Sequence, residues 1–332
     1  MASALSNKRR FKACMDAFAH PDAHTMENAI KSLFAEDASI NICHPFNELV
    51  GCKNYWDIFF KPLLTSFEGF HRRDYILMGN RFEEGDWISC TGYYTGHFIK
   101  PWLRIKPSGG MSYLRFGEFH RFEGGTIAES YIFLDLPELM IAGGQWPIKS
   151  SPGHDRGYTG YLPGPASMDG LLLHETDPAR SQSSADMVTE MLRKLATKDE
   201  AWRPYWHDNM AWYGPAAFGS FLGIENFAGF QVPFEQTLDG WAGGAVVGGK
   251  TRHFTRFGDD NYVCSGGWPS LHGVQVKPFL DQAATNKRLF MRVCDWWRRE
   301  GDLLVENWVF VDIPHVLLQM DFDLFAEIGE GA

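Results

Sequence analysis

The sequence predicts an α+β protein whose fold occurs twice in one chain, and three observations carry that expectation. Residues 118–137 return 177 positions later as residues 295–314. Aligned without a gap over 111–141 and 288–318, the two copies share eight identities in 31 positions: Arg115/Arg292, Arg121/Arg298, Glu123/Glu300, Gly124/Gly301, Glu129/Glu306, Phe133/Phe310, Asp135/Asp312 and Pro137/Pro314. Chance gives about two, so the chain reads as a duplication. Ahead of each copy, helical periodicity comes first and strands after, which is the α+β order. Finally, 332 residues with 45% hydrophobic content suffice for two cores, each of about 150 residues.

In chain order, residues 8–20 and 25–36 read as two helices separated by Pro21 and Asp22; in the second, Thr25 can cap, and Ile30, Leu33 and Phe34 recur at helical spacing. Residues 39–43 read as a strand and 51–67 as a further amphipathic helix. Four strands follow, over 72–82, 86–98, 111–122 and 126–134, each rich in aromatic and β-branched residues. The last two form a hairpin, because Glu123, Gly124 and Gly125 supply a turn in which positive φ is available. Pro137 and Pro314 close each copy's last strand, since proline donates nothing to a ladder and suits the first turn of a helix. The second half replays this order: 206–211 answer 34–39, 223–227 answer 51–55, and 263–266 answer 89–92. Residues 146–184, with many Pro, Gly and Ser, read as an irregular connector, part of which must pack on a domain surface. The expected domains are 1–145 and 185–332.

The net charge of −10 comes from 16 basic against 17 acidic residues over 1–150, and 15 against 24 over 151–332. That balance argues against nucleic acid as a partner. Six cysteines lack CxxC spacing and are too few to staple a chain this long, so reduced thiols are expected. No apolar stretch follows the basic residues Lys8, Arg9 and Arg10, and no run of eighteen apolar residues occurs. The expectation is a soluble cytoplasmic protein that does not engage a membrane. His44, His71, His154, His174, His207 and His253 are scattered without ligand spacing, so no metal is expected. No cofactor is expected either, since no nucleotide-binding glycine motif or catalytic signature is found.

A series of motifs marks the first half and returns in part in the second. Thr91, Gly92, Thr95 and Gly96 mark a strand; Arg121, Phe122 and Gly125 mark the hairpin turn; Ile127, Glu129 and Tyr131 follow, then Asp135. The second copy repeats the end of this series as Glu306, Trp308 and Asp312. The pattern resembles the SnoaL-like polyketide cyclases, a branch of the NTF2-like superfamily. The resemblance implies two tandem NTF2-like cones, each a curved, mainly antiparallel sheet wrapped around helices with a pocket inside. Such domains commonly pair through their sheets, so a tandem chain implies an intrachain pseudo-dimer, compatible with a monomer. It also implies aldol chemistry by an aspartate and a histidine on a neighbouring strand. Here the aspartate slot, three positions after the motif's Glu, holds Ile132 and Val309, and the histidine slot holds Glu118 and Asp295. An aliphatic side chain takes no proton, so that mechanism does not carry over intact.

A desolvated carboxyl at Glu118 or Asp295 can stand in for the missing acid. The same groups can instead pair with Arg115 and Arg292, or with Arg121 and Arg298, as ordinary cross-strand ion pairs. His120 shares a strand face with Glu118, while His97 and His272 lie on corresponding strands; all three are candidate proton carriers, although a strand histidine is more often structural. Tyr94, Trp102, Trp268 and Trp297 are candidates to stack a planar ligand, or equally to fill a core. Strand parity puts Ile132 and Leu134, with Val309 in the second copy, on the pocket wall. The repeated carboxylates Glu129, Asp135, Glu306 and Asp312 bridge the sheet or touch substrate. The first half is favoured as the working one, because Trp297, Cys294 and Leu271 replace His120, Gly117 and Gly96 and add bulk. The expected activity is a cofactor-independent proton transfer beside a carbonyl of a small, largely apolar molecule: aldol cyclisation, isomerisation or dehydration. The alternative is a binding or structural protein that kept the fold and lost the chemistry.

Overall fold

The computed structural model describes residues 3–19, 22–153, 164–243, 246–247, 250–251 and 253–329. The chain divides into two compact units. Unit 1 comprises 1–146, 164–175 and 325–332; unit 2 comprises 147–163 and 176–324. The expected connector is therefore shared between the units: Leu77 exchanges backbone hydrogen bonds with Gly170 and Leu172 in unit 1, while the Lys149 and Ser150 amides donate to Asp281 in unit 2. Residues 154–163, His154 among them, lie outside the described residues.

Unit 1 begins with α1 (Ala4–Met15), whose first turn is capped by the Ser3 hydroxyl, and α2 (Ala23–Leu33), capped by the Asp22 carboxylate. Met26, Ile30 and Leu33 form the buried stripe of α2. The expected helix over 8–20 instead ends at Met15 and continues as a 3-10 turn, Asp16–Ala19. Strands β1 (Phe34–Ile42) and β2 (Asn47–Val50) follow, then α3 (Cys52–Asn54), a π-helical stretch (Tyr55–Phe60) and α4 (Lys61–Ser66) in one continuous segment. Four long strands complete the sheet: β3 (Phe67–Phe82), β4 (Gly85–Phe98), β5 (Met111–Glu123) and β6 (Thr126–Leu134), closed by α5 (Leu136–Ala142). Gly124 and Gly125 both have positive φ, 58° and 91°, as a tight hairpin between right-twisted strands requires.

Unit 2 repeats this plan: α6 (Pro178–Leu195), β7 (Trp206–Tyr213), β8 (Ser220–Leu222), α7 (Ile224–Thr237), β9 (Leu238–Gly243), the two-residue strands β10 (Val246–Val247) and β11 (Lys250–Thr251), β12 (His253–Asp259), β13 (Tyr262–Gln275), β14 (Arg288–Glu300), β15 (Leu303–Val311) and α8 (Ile313–Gln319). The sheet orders are β2-β1-β6-β5-β4-β3 in unit 1 and β8-β7-β15-β14-β13-β12 in unit 2. In each, the first strand lies parallel to the last and the remaining pairs run antiparallel. The duplication read from one hairpin thus extends to a whole α+β topology. One edge differs. The single strand β3 pairs along nearly all of β4, whereas in unit 2 that edge is divided, β9 pairing with the far half of β13 and β12 with the near half. Among the described residues no helix is long and apolar enough to cross a membrane.

Candidate functional site

Glu118 on β5 and Asp295 on β14 occupy the same register position. Cys90, Glu118 and Ile132 lie opposite one another across β4, β5 and β6; Ser265, Asp295 and Val309 do so across β13, β14 and β15. Directly paired residues present their side chains on one face, so each acid points to the helix side of its sheet. Their surroundings then diverge.

In unit 1 the acid is saturated. Arg72, from β3, donates from Nη1 to Glu118 Oε1 at 3.0 Å and from Nη2 to Oε2 at 2.7 Å, the two-pronged pairing of guanidinium and carboxylate. The Tyr94 hydroxyl donates to Oε1 at 2.8 Å, and His120 Nε2 lies 3.3 Å from Oε2. A carboxylate only accepts, so His120 carries its proton on Nε2, and its Nδ1 accepts from the Ser130 hydroxyl at 2.8 Å. Asp74 takes a second edge of Arg72 at 2.8 Å, and the guanidinium lies 4.1 Å from the centre of the Phe116 ring. Phe11 from α1 covers His120, with ring centres 5.0 Å apart. Burial alone would raise the Glu118 carboxyl, but the Arg72 charge and the hydrogen bonds from His120 and Arg72 outweigh it and hold the group well below the usual carboxylate range. Burial pushes His120 down, so its ring is neutral. Cys90, Glu118 and His120 offer ligand atoms within 4.8 Å of one another, yet Arg72 places a positive charge on both carboxylate oxygens, which opposes a cation there.

In unit 2 a cavity of about 510 Å³ opens beneath the sheet. Asp295 borders it, together with Trp297 and Val293 of β14 and Asn307, Val309 and Val311 of β15, the alternating inward residues of those strands. Helix α7 closes the other side with Phe227, Phe230, Gln231 and Phe234, an i, i+3, i+4, i+7 stripe. Trp206, Trp212, Phe218 and Trp241 extend the aromatic wall, and α6 contributes Met191, Leu192 and Leu195. Among the described residues the one hydrogen-bond donor reaching the Asp295 carboxyl is Asn307 Nδ2, at a long 3.5 Å. The residue is half-buried by surface area and borders the cavity, with protein packed around most of it. Burial therefore dominates and raises its pKa to about 7, against the weaker opposing pulls of Asn307 and Arg256.

A polar group sits beside it. Arg256, on β12 directly opposite Ser265, donates from Nε to the Ser265 hydroxyl at 3.2 Å and from Nη2 to His253 Nδ1 at 3.3 Å. An arginine only donates, so His253 Nδ1 accepts and its proton lies on Nε2, facing Ser270 Oγ at 3.2 Å. Burial and then the Arg256 charge lower His253 to about 4, which leaves the ring neutral at physiological pH. Burial lowers Arg256 too, though Asp295 opposes this.

The structure separates the other sequence candidates. His97 is exposed on β4, far from any shared face with Glu118. His272 receives a hydrogen bond from Arg288 at 2.9 Å and does not border the cavity. Tyr94 belongs to the Glu118 network; Trp102 packs on Phe46 and Phe59; Ile132 and Leu134 are buried core; and Trp268 lies under the Arg292 guanidinium. Only Trp297, Val309 and Asp295 of the sequence candidates border the cavity. Each repeated carboxylate is ion-paired within its own sheet or at its end: Glu129 pairs with Arg121, Glu306 with Arg298, and Asp135 with Arg115, while Asp312 pairs with Arg292 and caps α8. In the first half, expected to hold the working site, the Glu118 carboxylate is taken up by Arg72, Tyr94 and His120, and Phe11 packs on His120 and Arg72. His253, set aside as a scattered histidine, sits in the site together with Arg256, Ser265, Ser270 and Asn307, none of which the sequence singled out.

No family model matches the chain, and no curated protein does. Among solved structures the chain is similar to AclR from Streptomyces galilaeus, provisionally described as a hydroxylase, at 15% identity over 45% of this chain and 87% of that one, with a TM-score of 0.37. It is similar to a protein from Jannaschia sp. CCS1 provisionally described as a SnoaL-like polyketide cyclase, at 16% identity over 43% and 94% of the two chains, TM-score 0.35. It is similar also to an NTF2-like protein from Burkholderia thailandensis E264, at 17% identity over 44% and 98%, TM-score 0.32.

Proposed function

We propose that this chain is a cofactor-independent acid/base enzyme of the polyketide-cyclase type, with its working site in unit 2 and Asp295 as the proton carrier. The observation that carries this reading is a carboxyl raised to about 7 at the edge of an aromatic cavity, with one long hydrogen bond to satisfy it. Such a group is divided between its two protonation states at neutral pH, which suits both taking and returning a proton. The aromatic walls hold a flat, largely apolar molecule. In the step proposed, ionised Asp295 removes a proton from the carbon next to a carbonyl. The C–H electrons pass into an enolate, and the protonated carboxyl then returns its proton to another carbon or to an oxygen. Isomerisation, aldol closure and dehydration share this first step.

The test is isotope exchange. A bicyclic aryl ketone such as 2-tetralone, incubated with the protein in D2O, exchanges the hydrogens beside its carbonyl faster than in buffer; Asp295→Asn lowers the rate by about 10²–10⁴-fold, and Glu118→Gln leaves it near wild type. Exchange at the buffer rate, or exchange indifferent to Asp295→Asn, sinks the proposal. A second reading, a ligand-binding protein without chemistry, draws on the aliphatic Val309 opposite Asp295, and predicts binding of the ketone with no exchange.

A further inference from the structure

Arg256 stands apart from the other inward-facing arginines. Each of the four arginines buried among the described residues has a carboxylate: Arg72 has Glu118 and Asp74, Arg115 has Asp135, Arg298 has Glu306 and Arg299 has Asp302. Arg256 is mostly enclosed and borders the cavity, but among the described residues it has no ion pair. Two neutral acceptors, Ser265 Oγ and His253 Nδ1, hold its Nε and Nη2, and its Nη1 has no hydrogen-bond partner there. A charge so enclosed is costly unless a counter-charge reaches it. The one acid in its neighbourhood, Asp295, lies two strands away in the same cross-strand row, roughly 10 Å apart at the backbone.

We infer that Arg256 is the anchor for a carboxylate carried by the ligand, so that the cavity takes a flat aromatic or polycyclic acid and not its neutral ester. This rests on the cavity being the ligand site proposed above and adds the ligand's charge to it. The Ser265 and His253 contacts fix the guanidinium plane, leaving Nη1 free to meet a carboxylate oxygen. The same row sets the spacing: a ligand held at Arg256 and lying along the sheet brings atoms several bonds from its carboxylate to Asp295. An enolate formed during a reaction would leave Arg256 without a counter-charge in the resting complex, whereas a carboxylate supplies it on arrival.

The experiment is a titration of the full chain with 2-naphthoate and with methyl 2-naphthoate, read by calorimetry and by quenching of the tryptophans that line the cavity. Wild type binds the acid about tenfold or more tightly than the ester, the discrimination expected of one charge-assisted pair. Arg256→Gln removes that preference while ester binding stays unchanged, which certifies that the cavity is intact; Arg256→Lys keeps part of it. Equal affinity of wild type for acid and ester, no binding of the acid at millimolar concentration, or a preference that persists in Arg256→Gln overturns the inference. Should Arg256→Gln lose both ligands, Arg256→Lys decides: acid preference retained supports the anchor, and acid preference absent refutes it. Asp295→Asn keeps the acid preference, so a failed exchange experiment alongside retained discrimination removes the proposed chemistry and leaves the anchor standing.

Discussion

Glu118 and Asp295 sit at one register position in two sheets of one strand order, and their chemistry is opposite. Glu118 has five polar groups of Arg72, Tyr94, Cys90 and His120 around it; Asp295 has a single long contact from Asn307. Burial acts on both, more completely on Glu118. What separates them is whether the buried charge is met, since desolvation raises an acid and partners lower it again. In unit 1, Tyr94 bonds the acid and Phe11 packs on its partners His120 and Arg72; in unit 2, the divided β9/β12 edge and the aliphatic residues of α6 accompany a void.

The largest effect expected from this comparison is on stability. Glu118→Gln leaves the buried Arg72 short of one carboxylate and destabilises the protein by about 3 kcal/mol or more in denaturant unfolding at pH 7; a loss below about 1 kcal/mol would mean the network is incidental. Asp295→Asn has the opposite sign and depends on pH. The native carboxyl, at about 7, holds a proton that the unfolded chain releases near 4, so wild-type stability falls by about 1.4 kcal/mol per pH unit between those values. The Asn variant therefore matches wild type near pH 4 and melts higher at pH 8, whereas Glu118, held low, contributes stability above its unfolded pKa that is lost as pH falls. Smaller again, Asn307→Leu removes the donor from Asp295 and moves its titration upward by less than about one unit. Smallest of all, His97→Ala and His272→Ala change stability by no more than about 0.5 kcal/mol and leave ligand binding untouched.

Strands were readable because their signals are local. β6 spans the expected residues 126–134, and the parity that groups Ser130 with Ile132 holds, since both pair with the inward His120 and Glu118. The site was not readable, because it depends on partners distant in sequence. Arg72 and Glu118 are 46 residues apart, and nothing in the spacing tells that one neutralises the other. The contrast between Gly96 and Leu271 suggested added bulk in unit 2, but the void depends on α7, α6 and the divided edge. One missed signal was present: Asp260 and Asn261 make a turn between β12 and β13, and counting outward from Asp259 and Tyr262 sets Arg256 opposite Ser265. The sequence alignment, however, sets Ser265 against Thr91, one residue from Cys90, so the row that joins Arg256, Ser265 and Asp295 appears only in the structure.

The contrast between the two units comes down to two acids that titrate in different ranges. Carboxyl carbon NMR of protein labelled with 13C at aspartate and glutamate side chains, assigned with Asp295→Asn and Glu118→Gln, measures both groups in one sample. The expected spectra show a titration at about pH 7 that vanishes in Asp295→Asn, and a Glu118 signal that stays ionised to the lowest pH at which the fold survives. Asp295 titrating in the ordinary range near 4, or Glu118 titrating near neutrality, would contradict it.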